Sequence, residues 1–355
     1  MGKHLRNIFI LTFVMAGMVL LQKHFQINLS WNKLNVIECI GCNKFEGSLI
    51  IEPPEVCKKY GGNTTFAPPE LIFLVMSPAN DKKSRNAIRD TWGGIPDQKT
   101  GNYRVVFVVG RIKSTDLLHE ASEQRDILQL NVPDTQKAIT ERVAHSLRWL
   151  TLRCQSIKYV MKTNIEVFIN VPYIFRILKK YDLKNSLAGH CYHRPEHSDG
   201  AGNDKRFKYL KSLHSPPYCS GSGYIIGRKT AVNLVEMFEN TPYFALDDVY
   251  IGFCAYKAGV EIIDIPGFHV DFDGYDAFQY CHCVGSARNV DAGRQREIYG
   301  LQLKDCKHSW TRGVDDLGMC FLEFRDVAMP VTIMVVSAFL IALFLIVRRK
   351  LNIKP

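Results

Sequence analysis

Two short runs of oxygen-bearing side chains stand out for the chemistry they can do. In Tyr159-Val160-Met161-Lys162-Thr163-Asn164-Ile165-Glu166 an apolar stretch runs into Asn164 and Glu166, one residue apart. Such a pair can form the edge of a divalent-cation site, and it can equally be an ordinary strand-end turn. In Leu246-Asp247-Asp248-Val249-Tyr250-Ile251-Gly252 adjacent carboxylates head a helical pattern. A carboxylate there can cap free backbone amides or act as a general base.

These residues need elements to position them. Apolar runs over 71–76 and 105–109, the second nearly all β-branched, predict strands buried on both faces. Between 139 and 150, Ile139, Val143, Leu147 and Leu150 recur at helical spacing, with Asp134 as the expected N-cap. A short strand over 158–162 follows, then strand 224–227, helix 229–238, helix 247–257 and strand 260–264. This alternation predicts an α/β fold with a parallel sheet. In such sheets ligands bind beyond the carboxyl ends of the strands, where Asn164 and Glu166 fall.

The chain has 355 residues and is 46% apolar, enough to bury a substantial core. Lys3, His4 and Arg6 precede an apolar run over 8–21, and Gln22-Lys23-His24-Phe25 follows it without a small-x-small cleavage site. That pattern predicts a retained signal anchor over 1–25. A second uncharged run, 327–347, ends at Arg348, Arg349 and Lys350 and reads as a spanning helix with a basic stop, leaving a basic tail over 348–355. Basic residues flank the outer side of both runs, so both termini are expected in the cytosol and the part between them in the lumen.

Residues 26–69, with Pro53, Pro54, Gly61, Gly62, Pro68 and Pro69, read as a stem, and 70–326 as one lumenal domain. All eleven cysteines lie between the two runs, as an oxidising compartment allows, and the odd count leaves at least one outside a pair within the chain. Cys39 and Cys42 form a lone C-x-x-C with no second pair or histidine set to complete a zinc site. Asn28 and Asn63 stand in N-x-S/T acceptor sequences, which matter only in a lumenal setting. The net charge of +10 is scattered, which argues against a nucleic-acid partner and is compatible with small acidic substrates.

Taken together, Arg85-Asn86-Ala87-Ile88-Arg89-Asp90-Thr91-Trp92, Phe107-Val108-Val109-Gly110, the segment 123–128 and the run from Tyr218 to Tyr224 resemble glycosyltransferase family 31. That family holds β1,3-galactosyltransferases and β1,3-N-acetylglucosaminyltransferases, and the match runs in order from about Leu71 to Tyr299. The resemblance implies a GT-A, Rossmann-like fold, a UDP-sugar donor, a glycan acceptor, inverting transfer and a Golgi membrane setting, while the second hydrophobic run, unusual for that family, could serve retention or association with other glycosyltransferases. It places the catalytic base on Asp248, with Asp247 orienting that base or binding acceptor. Capping the helix is the alternative for Asp247. Arg85, Arg89, Trp92, Lys162, Asn164, Gly221 and Gly223 would then lie along the donor. Core packing for Trp92 and a surface ion pair for Arg89 are the plainer readings.

The chain departs from the family at one charged spot. Members usually carry three consecutive aspartates where this chain has Asn164-Ile165-Glu166, so one formal negative charge replaces three. Glu166 is left as the candidate ligand for Mn²⁺ or Mg²⁺, which would stabilise a departing diphosphate. The family's histidine near the end of the domain aligns loosely with Arg288, with His282 as a substitute. A guanidinium at Arg288 can neutralise the diphosphate without metal. Three expectations compete: a metal-dependent transferase using Glu166, a metal-independent one using Arg288, and a non-catalytic relative that binds nucleotide sugar or assists a partner enzyme.

Overall fold

The computed structural model describes residues 39–43, 49–54, 56–57, 69–94, 102–193, 216–243, 246–268 and 277–305. The chain divides into two compact units, and every described residue belongs to the one spanning Asn35–Phe321. The other, Met1–Leu34 with Leu322–Pro355, lies wholly outside them. Both hydrophobic runs, Asn28 and Asn63 fall outside the described residues. Among those residues no helix is long and apolar enough to cross a membrane.

An eight-stranded mixed sheet organises the unit. In chain order its strands are β1 (Leu49–Ile51), β2 (Leu71–Met76), β3 (Tyr103–Arg111), β4 (Ile127–Pro133), β5 (Tyr159–Asn164), β7 (Ser186–Tyr192), β8 (Tyr218–Gly227) and β9 (Glu261–Asp264). Their spatial order is β1-β4-β3-β2-β5-β8-β7-β9. A small separate ladder pairs β6 (Phe168–Ile169) with β10 (Ser286–Ala287).

Strands β4, β3, β2 and β5 run parallel, as the alternating pattern predicts. The wholly parallel sheet expected from that pattern is corrected: β8 lies antiparallel to both β5 and β7, and β1 lies antiparallel to β4. The stem reading is corrected in part as well, because Leu49–Ile51 add an edge strand to the sheet. Near it the Cys57–Cys154 disulfide ties that segment to the end of a helix.

Every residue of β2 is buried, and its side chains divide by parity. Leu71, Phe73 and Val75 enter one core, and Ile72, Leu74 and Met76 the other. The first core takes apolar faces of α1 (Lys82–Arg89), α2 (Thr115–Gln124), α4 (Val171–Lys180) and α8 (Ala292–Asp305). The second takes α3 (Ile139–Arg153), α5 (Arg228–Phe238) and α6 (Asp247–Lys257). A short helix α7 (Ala277–His282) precedes β10. Helices on both faces explain why the central strands read as continuous apolar runs rather than as alternating ones.

Asp134 does not cap α3. A 3-10 turn at Gln136–Ala138 leads into that helix. The Asp134 carboxylate instead accepts from the backbone N–H groups of Ala79 and Gly110 and pairs with Arg142. Gly110 is required there, since a Cβ would fall 2.5 Å from the Asp134 Cα. The carboxylate thus ties together the loops that leave β2, β3 and β4, which form the floor of the sheet's carboxyl edge.

Candidate active site

The carboxyl end of β5 and the amino end of β8 meet in antiparallel register, with Thr163 opposite Gly223. Just beyond that pair, Asn164 on β5 and Gly221 on β8, two residues before Gly223, carry the centre of the site. The Gly221 carbonyl accepts from Lys162 Nζ at 2.9 Å and from Asn164 Nδ2 at 3.2 Å. The N–H of the same glycine donates to Asp248 Oδ2 at 3.1 Å. Gly221 is thereby a hub between β5 and α6, and a Cβ on it would touch both Asp248 Oδ2 and Lys162 Nζ at 3.5 Å.

Asp247 and Asp248 occupy the first turn of α6, where the helix N-terminus favours negative charge. The residue before them, Leu246, makes no side-chain cap. Asp247 does not cap the helix either: its Oδ2 stands 2.7 Å from Lys162 Nζ, an ion-pair contact out of hydrogen-bond alignment. The Lys162 side chain is 0% exposed and that of Asp247 12%, so this is a nearly dry pair. Asp248 bends back to accept from the Val249 N–H at 2.8 Å and stays half-buried.

Burial pushes the Asp248 carboxyl above its usual value, and the neighbouring charge of Asp247 adds to the push. Lys162 and the N–H groups of Val249 and Gly221 oppose it. A carboxylate raised in this way is a better proton acceptor than a free one while remaining ionisable.

The structure brings Asp247, Asp248, Lys162, Asn164 and Gly221 together and sends other candidates elsewhere. Gly223 sits one step inside the ladder, its missing Cβ 3.0 Å from Met161 Cε, where it serves strand packing. Lys162, assigned to the donor from the sequence, is instead closed in behind Gly221 and Asp247.

Arg85 is corrected outright. It is 1% exposed, and its five N–H groups reach Glu120 twice, Ser77 Oγ, Pro78 O and Ala79 O. No donor is left for a phosphate, and its work is to hold the loop that follows β2. Replacing Arg85 by Met is expected to cost about 3–5 kcal/mol in urea unfolding, because Glu120 stays buried with half its partners gone. UDP affinity of the folded remainder should be unchanged by titration; a selective loss of UDP binding at full stability would return Arg85 to the donor.

Arg89 likewise makes a two-pronged pair with Asp126 and contacts Glu120 and the Phe107 ring. Trp92 is core, as its plainer reading held, and its indole N–H donates to Gln295 Oε1 at 2.7 Å. Gln295 in turn donates to the Ile165 carbonyl at 3.0 Å. That fully buried glutamine, absent from the sequence reading, anchors the Asn164-Ile165-Glu166 turn to α8. Arg142 was missed as well. Burial pulls its guanidinium down from the usual value against the pull of Asp134 and Asp247.

The turn itself does not present a good cation site. Asn164 directs its amide nitrogen at Gly221, and its Oδ1 is buried with no partner among the described residues. Glu166 is exposed, and no group of three Asp, Glu, His or Cys side chains is assembled among the described residues. Mn²⁺ and Mg²⁺ favour carboxylate oxygens in near-octahedral sets, and one exposed carboxylate does not fit that demand. Arg288 is exposed on the loop after β10. The loop is pinned on both sides, by the ladder to β6 and by Val290 N–H donating to the Glu166 carbonyl at 2.9 Å. His282 is buried.

A carboxylate raised by burial and held by a glycine N–H at the carboxyl edge of an α/β sheet is an arrangement able to take a proton from a bound hydroxyl. Residues 83–266, a little over half of the chain, match the family model described as Galactosyltransferase, and the chain belongs to that family of glycosyltransferases.

It is 28% identical over 249 residues to beta-1,3-galactosyltransferase 5 of Mus musculus, covering 67% of this chain and 77% of that one. To N-acetyllactosaminide beta-1,3-N-acetylglucosaminyltransferase 4 of Mus musculus it is 29% identical over 235 residues, covering 64% of each. To lactosylceramide 1,3-N-acetyl-beta-D-glucosaminyltransferase B of Xenopus laevis it is 27% identical over 262 residues, covering 69% of this chain and 66% of that one. The chain thus spans just under two thirds of the latter two. A solved galactosyltransferase in complex with donor and acceptor sugar analogues overlays with a TM-score of 0.36 at 11% identity, covering 68% of this chain and 99% of that chain, too slight a likeness to build on.

Proposed function

We propose that the chain transfers a hexose, galactose or N-acetylglucosamine, from a UDP-sugar to a hydroxyl of a glycan acceptor in β1,3 linkage, with inversion at the anomeric carbon, on a GT-A-type fold. The single observation that carries this is Asp248, half-buried, raised above the ordinary carboxylate value and fixed by the Gly221 N–H. In the step, the Asp248 carboxylate takes the proton of the acceptor hydroxyl while that oxygen attacks the anomeric carbon. The bond from that carbon to the β-phosphate oxygen breaks, and UDP leaves with the electron pair.

Asp247 and Lys162 hold the base in place. The charge that builds on the departing diphosphate falls to Arg288, on its pinned loop beside the Glu166 backbone, since a guanidinium is a fixed partner for phosphate. The names of the similar mouse and frog proteins support the β1,3 linkage and the two hexoses.

The setting proposed is the Golgi lumen, with the two hydrophobic runs as membrane anchors. Disulfides at Cys39–Cys42, Cys57–Cys154 and Cys191–Cys219 support an oxidising compartment. Calorimetric titration of UDP, UDP-galactose and UDP-N-acetylglucosamine tests the reading, first with Mn²⁺ and then with EDTA. Binding that persists in EDTA and is lost in Arg288→Ala is the expected result. Binding only with Mn²⁺ would return the role to Glu166, and no binding in either condition would end the transferase reading.

A further inference from the structure

Tyr224 closes the run that begins at Tyr218 on β8, and the transfer chemistry above gives it no task. It stands directly opposite Lys162 in the ladder, so the two side chains leave the sheet on the same face. The Lys162 ammonium lies 5.8 Å from the centre of the Tyr224 ring. The same ammonium is 2.7 Å from Asp247 Oδ2 and 2.9 Å from the Gly221 carbonyl. The Tyr224 phenol and the Asp247 carboxylate are thus grouped around one buried cation.

Three buried polar atoms are left over in this group. The Tyr224 side chain is wholly buried, and its hydroxyl has no hydrogen-bond partner among the described residues. Asp247 Oδ2, though in ion-pair contact with Lys162, receives no aligned hydrogen bond among them either. Arg142 Nε, on α3, is in the same state, and the charges of Asp134 and Asp247 hold the proton of that guanidinium against the pull of burial.

A buried polar atom without a partner is costly, and buried waters commonly answer such atoms, each making about three hydrogen bonds. A phenol O–H and a guanidinium N–H donate, and a carboxylate oxygen accepts. One water can accept from the first two and donate to the third.

The phenol stays in its donor form, because burial, and after it the charges of Asp247 and Asp248, push it well above its usual value. The other groups facing Tyr224 and the two carboxylates come from four elements. Lys162 on β5 is paired with Asp247, and Arg142 on α3 is bonded to Asp134. The thiol of Cys254 on α6 and the phenol of Tyr218 on β8 are each pushed by burial up to about 12. Both are therefore neutral throughout the range in which carboxylates titrate.

Resting on the reading of Asp248 as base, we infer that Tyr224 is a positioning residue: its hydroxyl donates to a buried water shared with Arg142 Nε, and that water donates to Asp247 Oδ2. The bond fixes the Asp247 carboxylate against Lys162 and offsets part of its charge. A neighbour offset in this way pushes less on Asp248, which keeps the base ionised to lower pH.

Tyr224→Phe removes the hydroxyl and keeps the ring, and the full chain in detergent micelles is the material for the test. Tm across pH reads the carboxylates without turnover, and the pH profile of kcat/KM for transfer from UDP-galactose or UDP-N-acetylglucosamine reads the base. The variant is expected to melt about 2–4 °C below the parent at neutral pH. That gap should close in acid, because the bond favours charged carboxylates and its contribution is lost as they take up protons. The acid limb should move up by about half a pH unit. A variant at least as stable as the parent at every pH would mean that the hydroxyl is idle, and a gap that stays constant across pH would mean that it bonds an uncharged group; either overturns the inference. A gap that closes in acid beside an unmoved limb would keep the Tyr224 bond to the acidic pair and end the reading of Asp248 as base.

Discussion

Replacing Asp248 by Asn is expected to lower kcat by about 10²–10⁴-fold, the usual worth of a positioned general base, with UDP-sugar affinity unchanged. The pH profile of the parent carries the same information. Because burial and the charge of Asp247 raise the Asp248 carboxyl, the acid limb of kcat/KM should lie above the ordinary carboxylate range, with activity falling as Asp248 takes up its proton.

Stability has the opposite sign. In the unfolded chain Asp248 ionises at its ordinary value, and in the fold only at a higher one. The stabilisation from holding it neutral is therefore complete below the unfolded value and is lost as pH rises through the folded one. Asp248→Asn forfeits one of the two backbone bonds to Gly221 and Val249, so its absolute Tm is a poor guide. The difference in Tm between variant and parent should climb in favour of the variant from acid to neutral pH. A difference that stays flat across that range would show that Asp248 is not perturbed in the fold.

Much of this site could be read from the residues, and the exceptions have physical causes. The span of α6 was legible to the residue, and the run of β2 likewise, because each is a mostly buried apolar run bounded by polar residues. The antiparallel course of β8 was not, since hydrophobic patterning carries no strand direction. Three residues are too few for a pattern, so β1 passed as stem.

At Asp134 local propensity pointed to a cap, and a tertiary partnership with two loop amides won. The roles of Arg85 and Arg89 turn on Glu120 and Asp126, more than thirty residues away, and nothing in an isolated arginine shows that its fork is already filled. Gln295, 130 residues from the Ile165 carbonyl it holds, is invisible for the same reason. Lys162 did give a sign that went unread: an ammonium directly after the apolar run Tyr159-Val160-Met161 in a strand buried up to its last residue demands a partner, and Asp247 was among the candidates.

That ammonium supports the remaining large effect. Lys162→Met leaves Asp247 with an uncompensated charge in a nearly dry place and should cost about 3–5 kcal/mol of unfolding free energy. It also removes the cation that holds Asp248 down, so the acid limb of kcat/KM should move to higher pH. Loss of stability alone would not move that limb, because the surviving folded molecules would titrate as before. In the double variant Lys162→Met/Asp247→Asn the lowering and the raising charge disappear together. Stability should then recover in part, a non-additive outcome expected of groups in contact, and the limb should return toward the parent position because the two opposing shifts cancel. The pH profiles of the parent, both single variants and the double variant decide it. An unmoved limb in Lys162→Met would mean that Lys162 only braces the strand, and that the proton affinity of Asp248 is set by burial and Asp247 alone.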